Sequence, residues 1–242
     1  PNKNKNPWRD KVKSYFKNFF DVANKSDEEI VKLSKKVGID VAVNLTGLTY
    51  NNRTNIYKMR VAPIQINYLG FAGTMGAKFI DYIIADKTVI PDAMKKNYTE
   101  KVLYLPNCYQ PNSKEIFEIN NKKNFSKKNL NLPNKGIIFC CFNSNYKITP
   151  TIFKSWMNIL KKVSESVLWL YVDNETAKNN LRNEASKSGI NSKRIIFAEK
   201  ISVVHEHLQR TSFADIFLDT TPYNAHTTAS DAIRVGLPII TL

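Results

Sequence analysis

Apolar positions recur along this chain with two periods, and their alternation predicts an α/β protein. Residues 27–37 read as a helix, with Ser26 as N-cap, Glu29 three residues later and Gly38 as its stop. The β-branched apolar run 39–45 predicts a buried strand. Further strands are expected at 64–69, 79–85 and 102–105, with a glycine-rich loop at 70–76. Strands alternating with helices predict a sheet covered on both faces.

The polar, Lys/Asn-rich stretch 112–135 predicts a linker between a first half, 1–111, and a second half, 136–242. The second half carries strand patterns at 136–142, 167–172, 195–198 and 216–218, and a last strand beginning at Pro238. Pro150 opens a helix whose Ile152, Trp156, Ile159, Leu160 and Val163 share one face. Helices follow at 177–186, 203–211 and 227–235, the last ended by Gly236. The order β-α-β-α-β-α-β-α-β predicts a doubly wound nucleotide-binding half. Its ligand would lie beyond the carboxyl ends of the strands, on the loops after Phe142, Ala198 and Leu218. No internal repeat is visible.

Composition narrows the class. With 242 residues, 43% apolar and 24% charged, the chain fits one large globular domain or two small ones. It lacks an apolar run long enough to span a bilayer and a signal-peptide core, which predicts no membrane association and a cytoplasmic setting. The polar start without Met and the apolar end read as a fragment cut from a longer protein. Cys108, Cys140 and Cys141 form no disulfide framework or zinc ribbon; Cys140 and Cys141 read as buried strand residues. The net charge of +15 is scattered over lysines without an arginine cluster, which predicts a basic surface and no nucleic-acid partner.

The candidate chemistry gathers at two loops. The strand ending at Leu218 runs through Asp219 into a polar loop and a helix that starts at His226-Thr227-Thr228. A helix start offers amide N–H groups and a positive dipole end, hence an anion site, with Thr227 and Thr228 as N-cap residues. Asp231, one turn on, is placed to reach a ribose diol. After Phe142, the loop Asn143-Ser144-Asn145-Tyr146-Lys147 offers an ammonium for a pyrophosphate and side-chain hydrogen bonds. His205 and His207, two apart on a helix, face different ways and lack a third ligand, so no metal is expected there. His207 reads either as a nucleotide contact or as a surface histidine. The 70–76 loop matches neither a dinucleotide fingerprint nor a Walker loop, and there is no Asp-x-Asp pair to bridge a metal to a sugar nucleotide.

Taken together these motifs resemble the catalytic region of the O-linked N-acetylglucosamine transferase family, which includes the SPINDLY type. The matching stretches are Ile39-Asp40-x-x-Val43-Asn44-Leu45-x-Gly47, Arg60-x-Ala62-Pro63-Ile64-Gln65, Leu69-Gly70-Phe71-x-Gly73-Thr74 and Asp81-Tyr82-Ile83-Ile84-x-Asp86 in the first half. In the second they are Phe142-Asn143-x-x-Tyr146-Lys147-Ile148, Ser166-Val167-Leu168-Trp169-Leu170, Arg194-Ile195-Ile196-Phe197 and Leu218-Asp219-Thr220 through His226-Thr227-Thr228 to Asp231. The segment 105–112 is similar to bacterial members.

The resemblance implies a GT-B-like fold: two Rossmann-like doubly wound halves, both incomplete at the chain ends, with a sugar nucleotide between them. It implies inverting, metal-independent transfer of N-acetylglucosamine from UDP-GlcNAc to Ser or Thr hydroxyls of an acceptor protein, with no cofactor beyond the donor. A GDP-fucose-dependent O-fucosyltransferase and a non-catalytic nucleotide-binding fragment are the alternatives. By resemblance Lys147 neutralises the leaving diphosphate. Asn143 and Ser144 assist on the same loop. Thr227 and Thr228 hold the phosphates, His226 sits beside them, and Asp231 holds the ribose. His207 and Arg210 lie by the uridine, and Leu69 and Gly70 line the sugar pocket. The parent is expected to carry N-terminal tetratricopeptide repeats. The chain departs from the family at Phe71-Ala72, where a Tyr-Pro is expected, at Ser144, where animal members have Gln, and at Val204, where a Lys is expected. The family's pocket histidines would precede residue 1.

Overall fold

The computed structural model describes residues 7–112 and 125–242. The chain forms two compact units, 1–111 and 112–242.

The first unit runs α1 (Pro7–Ser14), α2 (Asp27–Val37), β1 (Val41–Asn44), α3 (Thr54–Lys58), β2 (Ile64–Asn67), β3 (Tyr82–Ala85) and β4 (Lys101–Tyr104). Helix α2 starts where its capping box demands: Ser26 Oγ accepts the Glu29 amide and Glu29 accepts the Ser26 amide. It stops at Gly38, which takes the left-handed conformation at φ +76°. The four strands are all parallel, in the order β1-β2-β3-β4. Successive side chains alternate between faces. Asn44, Gln65, Asn67, Ile83 and Ala85 are buried on one face, whereas Val41, Val43, Ile64 and Leu103 on the other are 45%, 42%, 41% and 41% exposed. The expected burial of β1 on both faces is therefore corrected. An apolar run signals a strand but not how many of its faces are covered.

Several motif residues of this unit are scaffold. Arg60 grips both oxygens of Asp81 at 2.8 Å and donates to the Phe79 and Pro63 carbonyls. Gln65, fully buried, accepts the Val61 amide and donates to the Tyr57 and Phe79 carbonyls. These bonds tie strand β2 to the turns on either side and pair both ends of the buried Gln65 amide.

The second unit runs β5 (Ile138–Cys141), α4 (Pro150–Lys162), β6 (Val167–Tyr171), α5 (Glu175–Lys187), β7 (Ile195–Ala198), α6 (Val204–Thr211), β8 (Ile216–Leu218), α7 (Thr227–Arg234) and β9 (Ile239–Ile240). Its sheet is all parallel, in the order β7-β6-β5-β8-β9. Every residue of β5 is buried, so helices cover both faces there. Thr149 caps α4 and Pro150 occupies its first turn. The buried face of α4 is Phe153, Trp156, Met157 and Leu160, with Ile152, Ile159 and Val163 packed at its margin. The apolar stripe is thus rotated from the expected one, because the sequence pattern alone admits both.

The expected linker is only partly within view: residues 113–124 lie outside the described ones. Beyond them, Leu132 is buried in the core of the second unit and Leu130 packs against it, so this end of the stretch belongs to the domain. Arg194 closes the far end of the sheet. It donates to the carbonyls of Leu160, Val163 and Ser166 and to Ser166 Oγ, satisfying the C-terminal end of α4.

Candidate functional site

The strand order of the second unit reverses direction at β5, from which the chain winds out to β7 on one side and β8-β9 on the other. In such sheets the crevice beyond the carboxyl ends at this switch point is the ligand site. The loops after β5 and β8 both open there, and they carry most of the expected residues.

Asp219, directly after β8, organises the loop. Its Oδ1 accepts the amides of Thr220 and Ala225, both at 2.7 Å, and Asn143 Nδ2 at 3.0 Å. Its Oδ2 accepts Thr241 Oγ1 at 2.7 Å and Asn224 Nδ2 at 3.1 Å. Burial pushes this carboxyl up, but the bonds from Thr241, Ala225, Thr220 and Asn224 outweigh it and hold it below the usual carboxylate range. Asn143 is buried and bridges the two loops: Nδ2 also donates to Thr220 Oγ1 at 2.8 Å, and Oδ1 accepts a short bond from Thr228 Oγ1. The Thr228 hydroxyl proton is thereby committed to Asn143, leaving the Thr228 backbone amide for a ligand.

Lys147 extends from a short 3-10 turn, Asn145–Lys147, that follows Ser144. Its Nζ donates to the Asn224 carbonyl at 2.9 Å and lies 3.8 Å from the centre of the Tyr223 ring. Burial lowers its pKa, against the opposing charge of Asp219. Tyr223 packs between Tyr146 and His226, with ring centres 6.2 and 5.9 Å away. His226 is the N-cap residue of α7 and makes no side-chain cap bond. Burial and then Lys147 push its imidazole below the ordinary value. Thr227 and Thr228 are therefore the first two helical residues of α7, not its caps as expected. Their amides sit ahead of any intrahelical acceptor, as an anion site requires.

One turn along α7, Asp231 meets His207 of α6. Arg210 Nη2 lies 3.1 Å from His207 Nδ1. A guanidinium only donates, so Nδ1 accepts and the imidazole proton is on Nε2. Nε2 stands 3.9 Å from Asp231 Oδ2, beyond hydrogen-bond reach. Burial, with the Arg210 charge second, pushes His207 down to about 4. It is neutral at pH 7, so the contact with Asp231 is not an ion pair. Burial in turn raises the Asp231 carboxyl, against Arg234. Arg210 is 3% exposed, lies 5.1 Å from the centre of the Phe142 ring and donates to the Glu199 carbonyl; its buried Nε has no partner among the described residues.

The structure thus gathers Lys147, Asn143, His226, Thr227 and Thr228 at one locus and His207, Arg210 and Asp231 next to it on α6 and α7. Leu69 and Gly70 belong to the first unit. Leu69 is held at φ +69°. A Cβ on Gly70 would lie 2.3 Å from the Thr46 carbonyl oxygen, so close backbone approach explains the glycine. Sequence reasoning missed Asp219, Tyr223 and Asn224 as members of the site. Their signal was the Asp immediately after a strand, followed by a Pro-containing loop. Among the described residues no three His, Cys, Asp or Glu side chains are placed to hold a metal, and no helix is long and apolar enough to cross a membrane.

Two all-parallel α/β units in one chain are the architecture of the GT-B class of glycosyltransferase folds. Residues 1–123 and 118–242 match glycosyl transferase family 41, and the chain belongs to that family. A probable UDP-N-acetylglucosamine–peptide N-acetylglucosaminyltransferase SEC of Arabidopsis thaliana is 37% identical over 240 residues, 97% of this chain and 24% of that protein. A SPINDLY protein of Solanum lycopersicum, described in the same terms, is 30% identical over 243 residues, 98% of this chain and 25% of that protein. The chain therefore spans about a quarter of the length of these relatives. A mutant O-GlcNAc transferase of Thermobaculum terrenum shares the fold, with a TM-score of 0.85 at 23% identity over 98% of this chain and 44% of that one.

Proposed function

We propose that this chain is part of the catalytic region of a protein O-GlcNAc transferase, moving N-acetylglucosamine from UDP-GlcNAc to Ser or Thr hydroxyls with inversion and without a metal. The observation that carries the reading is the Lys147 ammonium bonded to the Asn224 carbonyl, two residues before the His226 N-cap of α7, on the loops that follow β5 and β8. The names of the relatives supply the donor and the peptide acceptor. In an inverting transfer the acceptor hydroxyl attacks the anomeric carbon as its bond to the diphosphate breaks. Negative charge then grows on the departing UDP. Lys147 and the amides of Thr227 and Thr228 are fixed in advance where that charge develops, which is the arrangement that lowers such a barrier. They supply the positive charge a metal would otherwise provide. Asp231 accepts from the ribose hydroxyls, and the Nε2 proton of His207 with the Arg210 guanidinium serves the uracil side. No cofactor beyond the donor is required.

Calorimetric titration of the chain with UDP, UMP and GDP tests this, with Lys147→Ala as the comparison. UDP should bind tightest, and Lys147→Ala should weaken UDP about 10- to 100-fold, as expected for one charge pair at a partly screened site. UMP should change far less. Tighter binding of GDP would shift the donor to a guanosine sugar such as GDP-fucose. A folded chain that binds no nucleotide would refute the site.

A further inference from the structure

We propose that Asp219 is the positioning residue of the anion site: through Asn224 it places the Lys147 ammonium, and through Asn143 it orients Thr228. The inference rests on the reading of Lys147 and α7 as the diphosphate site. Asp219 is 7% exposed and takes five hydrogen bonds, yet no cation pairs with it directly among the described residues. A carboxylate so buried is retained against its desolvation cost, and its bonds show what it holds. Asn224 is gripped by its side chain, at Asp219, and offers its carbonyl to Lys147. Asn143 points its Nδ2 at Asp219, so its Oδ1 is the end left for Thr228. Ala225, whose amide Asp219 also holds, precedes His226 and the start of α7. One carboxylate thus fixes both halves of the site.

Its charge matters as well as its geometry. Lys147 is faced by Cys141 from β5, Asp219 from β8, His226 from the start of α7 and the Tyr223 ring from the loop between. Burial pushes the Cys141 thiol up to about 12 and the His226 imidazole below its usual value, and burial also raises the Tyr223 phenol. Near pH 8 Asp219 is the charged member of that set, so it keeps the Lys147 proton bound against burial.

The test compares UDP and UMP binding by the full chain from pH 7 to 10, in the wild type, Asp219→Asn, Asn224→Ala and Lys147→Ala. Asn224→Ala keeps the carbonyl but frees the residue from Asp219, and it decides the matter should Asp219→Asn not fold. Both variants should weaken UDP about tenfold while UMP stays within about twofold, because only the diphosphate reaches Lys147. In Asp219→Asn the alkaline loss of UDP affinity should also begin at lower pH, since the anion that sustains the ammonium is gone. A merely structural carboxylate would weaken both nucleotides equally. An unchanged UDP/UMP ratio in both variants, with the ratio collapsed in Lys147→Ala, would overturn the positioning role. An unchanged ratio in Lys147→Ala would instead refute the diphosphate reading itself, and this inference with it.

Discussion

Replacing His207 with Gln should change how stability depends on pH. The imidazole is buried, accepts from Arg210 through Nδ1 and titrates near 4 in the folded chain, against 6.5 when free. The unfolded chain therefore binds more protons between these values, and linkage requires stability to rise with pH there. Put the other way, stability is lost as pH falls from about 6.5 toward about 4. The loss attributable to His207 reaches about 2 kcal/mol at pH 5 and levels off near about 3 kcal/mol below the folded value. Its side chain is 17% exposed, so solvent screening takes little from this. Gln offers an amide oxygen to Arg210 and does not titrate. Urea unfolding, followed by fluorescence of the buried Trp156 and Trp169 in the same unit, should show the variant gaining on the wild type by about 2 kcal/mol between pH 8 and pH 5. Curves that stay parallel over that range would refute a buried neutral histidine.

Two further substitutions probe the scaffold around the site. Gly70→Ala would put a Cβ 2.3 Å from the Thr46 carbonyl oxygen. Backbone on both sides cannot yield, so a cost of about 1–3 kcal/mol is expected in thermal unfolding of the first unit; an unchanged midpoint would show that the 46–47 turn gives way. Arg194→Met removes four hydrogen bonds, to the carbonyls of Leu160, Val163 and Ser166 and to Ser166 Oγ, while Val163 keeps those from Ser166. A loss of about 2–4 kcal/mol is expected in urea unfolding of the second unit, and a near-neutral result would mean that water replaces the guanidinium.

Much of the fold is written locally. The Ser26–Glu29 capping box and Gly38 fix α2 to the residue, and Thr149-Pro150 fixes the start of α4. The strands at 195–198 and 216–218 fall where the apolar runs put them. Their alternation with helices is enough to place the loops after Phe142 and Leu218 on one edge of a parallel sheet, because strands joined through helices run in the same direction and end on the same side. Lys147 and the His226-Thr227-Thr228 helix start were legible for that reason. Motif residues alone were less informative: Arg60, Gln65 and Asp81 carry the family pattern, yet they hold turns and strands together.

The amino-acid sequence by itself determined the elements of the second unit, their order and the sheet edge on which the loops of the candidate site open. Periodicity, caps and strand–loop–helix succession are short-range, and each is set by residues within a few positions of one another. Only the tertiary structure decided which face of the first sheet is covered, that Asp219 gathers five donors, and that the Asn224 carbonyl receives Lys147 across 77 positions of chain. It alone made His207 neutral and fixed its proton on Nε2. Burial, hydrogen-bond direction and charge depend on what packs around a group from distant elements, and that surrounding exists only once the chain has closed.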